Sequence, residues 1–251
     1  MYLSLGGGVQ SSTLLLMSFV SEIELFKAAI FADTQFEPRE VYDHLDYLKN
    51  IVGDKIPILT ATKGNLKKAV LDGIAKGDFP ALPFHMRQGK NVALMQRRCT
   101  VDYKIVPIQR KLRELGETKT SIALGISLDE VIRAKPSRVK WCENVFPLLD
   151  KKMRREDCIY WLGKHGFKIP PKSACLGCPF HSEQYWGDMK TQSPQEFAEM
   201  VEFDEKIRNL PNMTMKAYLH RSAQPLVQAV NDAEMQKKFD FQEECEGHCG
   251  V

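Results

Sequence analysis

The chain has 251 residues, 43% of them apolar and 9% aromatic, with a formal net charge of only +3. That composition suits a soluble α/β domain, alone or with a small appendage, and by itself argues neither for nor against a nucleic-acid partner. Its longest apolar stretches, at 13–17 and 28–32, are far too short to cross a bilayer, and residues 1–5 run into glycines without a basic-apolar leader, so a cytoplasmic protein without membrane contact is expected.

Strand and helix signals alternate through the first third. Residues 2–5 read as a strand ending in Gly6-Gly7-Gly8, and 11–21 as a helix. The apolar run 25–31 reads as a buried strand ending in Ala32-Asp33-Thr34. Residues 38–52 then carry helical spacing through Val41, Leu45, Leu48 and Val52. A strand at 56–60, a helix at 66–74, a Gly/Pro-rich loop at 76–89, a helix at 105–115 and a strand at 120–125 follow. This alternation predicts a Rossmann-like parallel sheet with helices on both faces. Beyond Arg133 it fades, and cysteines, prolines and aromatics crowd 141–186. The expected division is therefore a nucleotide-binding α/β domain at 1–132 and a Cys-rich, helical or irregular subdomain at 133–251. A helix is expected at 194–208, with Ser193 as its N-cap.

The segment from Leu3 to Ser12 is a strand, a glycine turn and a helix start. Glycines let backbone amides turn inward, the helix N-terminus adds a positive dipole, and Ser11 and Ser12 can add hydroxyl donors, so Gly6, Gly7, Gly8, Gln10, Ser11 and Ser12 form a candidate phosphate cradle. No lysine follows the glycines, which excludes the P-loop, and the third glycine of the dinucleotide fingerprint is missing. A plain glycine turn between strand and helix is the competing reading.

Gly6-Gly7-Gly8-Val9-Gln10-Ser11 resembles the Ser-Gly-Gly-X-Asp-Ser loop of the N-type (PP-loop) ATP pyrophosphatases, with Gly6 for the family serine and Gln10 for its Mg²⁺-holding aspartate. Gln10 is also similar to the PAPS reductases, and the chain resembles that superfamily, including its phage and bacterial PAPS reductase-like and DndC-like branches. The resemblance implies an adenine nucleotide α-hydrolase-like fold, with Asp33 facing the adenosine. Glu37 and Tyr42 follow in the same pattern. Gly125-Ile126-Ser127-Leu128-Asp129-Glu130 with Arg133 resembles a second loop that closes on the nucleotide. Asp129 and Glu130 would supply carboxylates for Mg²⁺ and Arg133 a guanidinium for phosphate. Helix-terminal charge is the alternative role for the two carboxylates.

Seven cysteines in a chain without a secretion signal suggest metal, cluster or sulfur chemistry. Cys175-Leu-Gly-Cys178-Pro179 can aim two thiolates at one centre. Cys99, in Arg97-Arg98-Cys99-Thr100, resembles the first cysteine of the Cys-Cys pair of cluster-bearing APS reductases. The resemblance implies a [4Fe–4S] site on Cys99, Cys175 and Cys178. The fourth ligand is Cys158 or an open iron position, and zinc on the same four thiolates is the competing centre. Cys142, beside Trp141, reads as core. The tail Glu244-Cys245-Glu246-Gly247-His248 is similar to the catalytic Glu-Cys-Gly-Leu-His stretch of PAPS reductases, which implies a redox or sulfur-carrying Cys245; further metal ligation by the tail is the alternative.

Eight basic residues lie between Arg133 and Arg155 against Glu143 and Asp150, either a solvated face or an anion-binding surface for nucleic acid. The expected activity is therefore ATP-dependent adenylation of an acceptor with pyrophosphate release and sulfur transfer, drawing on a sulfur donor. Reduction of PAPS or APS with a reductase partner is the first alternative, and a non-catalytic nucleotide- or cluster-binding regulator the second.

Overall fold

The computed structural model describes residues 1–236. In chain order the elements are β1 (Tyr2–Leu5), α1 (Val9–Phe19), β2 (Ala29–Asp33), α2 (Arg39–Val52), β3 (Ile58–Thr62), α3 (Leu66–Lys76), β4 (His85–Gln88) and β5 (Asn91–Leu94). A π-helical turn, Val101–Ile105, then leads into α4 (Val106–Glu114). After it come β6 (Thr120–Leu124), the 3₁₀ turn Leu128–Arg133, β7 (Cys142–Val145), α5 (Pro147–Asp150) and α6 (Arg155–Lys164). The chain continues with α7 (Glu183–Gln192), α8 (Pro194–Lys206), β8 (Lys216–Tyr218) and α9 (Leu226–Gln236). Among the described residues, no helix is long and apolar enough to cross a membrane.

The chain divides into two compact units, each built from more than one stretch of sequence. One unit is Met1–Lys63 with Thr100–Ser173; the other is Gly64–Cys99 with residues 174–236. The physical reason is strand pairing. β7 adds in parallel to β6, with Thr120 opposite Cys142 and Ala123 opposite Val145, so residues beyond 132 complete the first sheet.

The first unit is the expected Rossmann-like α/β fold, a parallel five-stranded sheet in the order β3-β2-β1-β6-β7. β1 and β2 are short apolar runs buried almost throughout, as parallel strands covered by helices on both faces must be. One face packs Leu3, Leu5, Ala29 and Phe31 against Leu14–Leu16 of α1 and Val41, Leu45 and Leu48 of α2. The other packs Tyr2, Ile30, Ala32 and Ile122 with Ile108 and Leu112 of α4. Cys142 sits in this second cluster at 3% exposure, the core position expected for it. β3 starts two residues later than expected because Pro57 cannot donate within a ladder; Ile56, ahead of it, is buried outside the strand.

The second unit contains an antiparallel sheet, β5-β4-β8, in which His85 pairs with Leu94 on one side and Tyr218 on the other. The 76–89 segment is thus not wholly loop: β4 occupies His85–Gln88 and turns through Gly89 into β5. The buried side chains of this unit include Phe84, Met86, Trp186, Phe203 and Leu219. Ser193 stands at the N-cap of α8 as expected, but without a side-chain hydrogen bond.

Candidate functional site: the glycine turn and the β6 loop

In an open α/β sheet, ligands bind beyond the carboxyl ends of the strands where the strand order reverses. Here that point lies between β1 and β6. The two loops leaving these strands are Gly6-Gly7-Gly8 and Gly125-Ile126-Ser127, so both motifs singled out from sequence meet at one edge.

The turn depends on its glycines for different reasons. Gly7 has φ +75°, a left-handed conformation that side chains disfavour, and a Cβ there would lie 3.2 Å from Val41. Gly125 has an ordinary backbone but no room, since a Cβ would lie 2.7 Å from the backbone nitrogen of Ser11. Ser11 shapes the turn rather than pointing outward: its Oγ accepts from the Gly6 amide at 3.1 Å and donates to the Gly8 carbonyl at 3.3 Å. Gly8 caps α1 without a side-chain hydrogen bond, and no acidic residue stands in the first helical turn. The amides and positive end of α1 therefore remain uncompensated by side chains of its own first turn, the arrangement that favours an anion.

Ser12 is fully buried, and its Oγ lies 3.1 Å from Nε2 of His44 on α2. His44 is buried as well, and burial, reinforced by Lys168, lowers its pKa to about 4, keeping the ring neutral. Sequence reasoning passed over His44 because a histidine on the apolar stripe Val41–Leu45–Leu48 carries no local sign of a partner 32 residues away.

Gln10 Nε2 donates at 3.4 Å to Ser127 Oγ and to Glu130, binding the two loops together. Glu130 in turn pairs with the guanidinium of Arg133. Burial raises the Glu130 pKa, and Arg133 opposes that rise. Asp129 is exposed and accepts the Arg155 amide at 2.9 Å, at the N-terminus of α6. A carboxylate there complements the positive end of α6.

Asp33, at the end of β2, accepts from the Gln35 amide at 2.8 Å and the Tyr42 hydroxyl at 2.9 Å. Burial and the Asp33 carboxylate raise the Tyr42 pKa, so the phenol stays a donor. Phe31, Asp33, Tyr42, Asp46, Lys49 and Thr60 help to line a cleft of about 180 Å³ beside β2 and β3. Nearby, the Thr34 hydroxyl donates to the buried Glu37 carboxylate at 2.9 Å, with Lys104 Nζ at 3.8 Å.

The cysteines separate. Cys158 lies on α6 at 0% exposure in the apolar core of the first unit. Burial pushes its thiol up to about 11 against a hydrogen bond with Thr13, so it is held as a neutral core thiol. Cys99, Cys175 and Cys178 belong to the second unit. There the Cys178 amide donates to the Cys175 carbonyl at 3.0 Å, and His181 Nε2 bonds that same carbonyl at 2.8 Å. Among the described residues, no three His, Cys, Asp or Glu side chains gather closely enough to hold a metal ion. Cys245 lies outside the described residues.

The sheet order and the two meeting loops define a Rossmann-like α/β protein whose glycine turn sits at the ligand edge of the sheet. No protein-family profile matches the chain, and no curated protein does. Among solved structures it is similar to the phosphoadenylyl-sulfate (PAPS) reductase of Candida auris, determined as a phosphate complex. The two share 13% identity over 67% of this chain and 74% of that one, with a TM-score of 0.44.

Proposed function

We propose that the chain is a PAPS reductase-like enzyme that holds an adenine nucleotide with its phosphates on the Gly6-Gly7-Gly8 turn. The observation that carries this reading is the uncapped, acid-free N-terminus of α1 at the reversal point of the sheet, with Gly125 packed against its first turn. Asp33 and the cleft beside it are the proposed adenosine side, and Arg133 the second anion contact.

With ATP, an acceptor attacks the α-phosphorus and its bond to adenylate forms as the α–β bridging P–O bond breaks. Pyrophosphate leaves, and its charge is met by the α1 amides and Arg133. A sulfur nucleophile from a donor protein then displaces AMP. A nucleic-acid acceptor suits the exposed Lys135, Lys140, Lys151, Lys152 and Arg154 between Arg133 and Arg155.

A second reading, reduction of a sulfonucleotide, is favoured by one specific feature. Gln10 is neutral, Glu130 is paired to Arg133 and Asp129 to a backbone amide, so the cradle suits an anion without a bound Mg²⁺. In that chemistry a cysteine thiolate, with Cys245 the residue proposed, attacks the sulfur of the phosphosulfate. The S–O bond breaks, the nucleoside phosphate leaves, and a dithiol reductant releases sulfite from the S-sulfocysteine.

The test is direct. Purified protein is assayed for pyrophosphate release from ATP with candidate acceptors, and for sulfite release from PAPS and APS with a dithiol. Pyrophosphate supports the first chemistry and sulfite the second. Absence of nucleotide binding refutes both.

A further inference from the structure

The second unit holds its own cleft, of about 480 Å³, within the size range of small-ligand sites. Arg87, Lys216 and Tyr218 line it from β4 and β8, Gln224 from just before α9 and Gln228 from its first turn. Arg87 and Lys216 are register partners in the antiparallel pair, so two cations stand directly opposite on one face. Like charges so placed destabilise a sheet. No carboxylate relieves them: among the described residues, the Arg87 guanidinium donates only to main-chain carbonyls, of Gly89 at 3.2 Å and Ala223 at 3.5 Å. Neither Arg87 nor Lys216 forms an ion pair within this set.

The Ala223 contact itself carries strain. Ala223 is buried with φ +50°, a left-handed conformation that costs a non-glycine residue about 1 kcal/mol or more. That conformation accompanies a carbonyl that steadies the guanidinium. Tyr218 is fixed as well, with the Arg208 guanidinium 3.8 Å from its ring centroid. Gln224 and Gln228 add carboxamides that can both donate and accept, and α9 opens without an acidic residue in its first turn. An uncompensated pair of cations beside amide groups and an aromatic wall is a recognition surface for phosphate and a base edge.

We propose that this cleft binds a nucleoside phosphate, with phosphate between Arg87 and Lys216 and the base edge at Gln224 and Gln228. The ligand is a free mononucleotide or one nucleotide of a single strand. The proposal does not depend on the glycine turn of the first unit.

The full chain is titrated with AMP and with a labelled ten-nucleotide oligothymidylate. The probes are compared in the wild type, Arg87→Gln/Lys216→Gln and Gln228→Glu, each also in a Gly125→Ala background that perturbs the other loop. The double substitution is expected to weaken at least one probe tenfold or more without lowering the unfolding midpoint, since it removes a like-charge pair. Loss with AMP identifies a free nucleotide. Loss confined to the oligonucleotide, with the salt dependence of its log K shallower by about 1 to 2, identifies a strand. Because Arg87 also holds two carbonyls, Gln228→Glu serves as the independent variant. It adds a negative charge at an exposed position and is expected to weaken the same probe several-fold. Binding of neither probe by the wild type, equal binding by all variants within twofold, or a loss that disappears in the Gly125→Ala background overturns the proposal.

Discussion

Replacing Gly125 with alanine tests the contact that joins the two loops. The added Cβ would lie 2.7 Å from the backbone nitrogen of Ser11 and 3.0 Å from Gln10 C and Ser11 Cα, where ordinary contact begins near 3.4 Å. All three atoms are backbone in the first turn of α1, so no side chain can swing away. The helix start or the β6 loop must shift by about half an ångström, and overpacking of this kind costs about 1–3 kcal/mol. The shift moves the amides that form the phosphate cradle. Losing one charge-assisted hydrogen bond, at about 1.5–3 kcal/mol, corresponds to a tenfold or greater fall in nucleotide affinity. Urea unfolding and equilibrium nucleotide binding measure the two effects. Gly187→Ala is the control: it lies inside α7 with nothing within 4 Å of its added Cβ, and it should gain about 0.5–1 kcal/mol without changing affinity. If Gly125→Ala keeps its stability within about 0.5 kcal/mol and its affinity within about twofold, the two loops are not packed together at α1 and do not form one nucleotide site.

Three further outcomes follow from the same geometry. His44 titrates near 6.5 when unfolded but near 4 when folded, so the unfolded chain takes up the extra proton between those values. Its contribution is complete above about pH 6.5 and is lost as the pH falls towards 4. His44→Gln should make the acid loss of stability shallower by about 1–3 kcal/mol in urea titrations at pH 7 and 4.5, and parallel losses would contradict the assignment. Asp129→Ala should cost about 0.5–2 kcal/mol through the Arg155 amide while leaving the Mg²⁺ dependence of nucleotide binding unchanged; a change in that dependence would return Asp129 to the metal role. Cys158→Ser should destabilise the first unit by about 1–3 kcal/mol and leave the iron, zinc and acid-labile sulfide content of purified protein as in the wild type. A fall matching that of Cys175→Ser would place Cys158 at a metal after all.

What the sequence disclosed was local. Residues 2–5 end as a strand where the glycines begin, and α2 follows its apolar stripe to Val52, because a buried parallel strand and an amphipathic helix each write their period into neighbouring residues. The glycine turn was legible for the same reason. β4 was not: His85-Met86-Arg87-Gln88 lacks a clean apolar alternation, and its place is set by partners at Leu94 and Tyr218. Cys158 shows the limit in a single residue. Its place shortly before the Cys-x-x-Cys made it a candidate ligand, whereas the α6 helix turns its thiol into the apolar core beside α1. Ser12 and His44 are legible only once α1 and α2 have been laid side by side.

The chain passes from one unit to the other after Lys63, after Cys99 and after Ser173. During synthesis, β1, β2 and β3 emerge first, but their sheet waits for β6 and β7 until the segment 64–99 has been made and set aside. That segment cannot complete its own three strands until β8 appears more than a hundred residues later. The described segments of the first unit are therefore all made by Ser173, whereas the second must wait for β8 at Lys216–Tyr218. A cut after residue 132 would part β7 from β6, the strand it pairs with. Anyone wishing to study the glycine turn in isolation must remove 64–99 by rejoining Lys63 to Thr100, because no single truncation of the chain yields it.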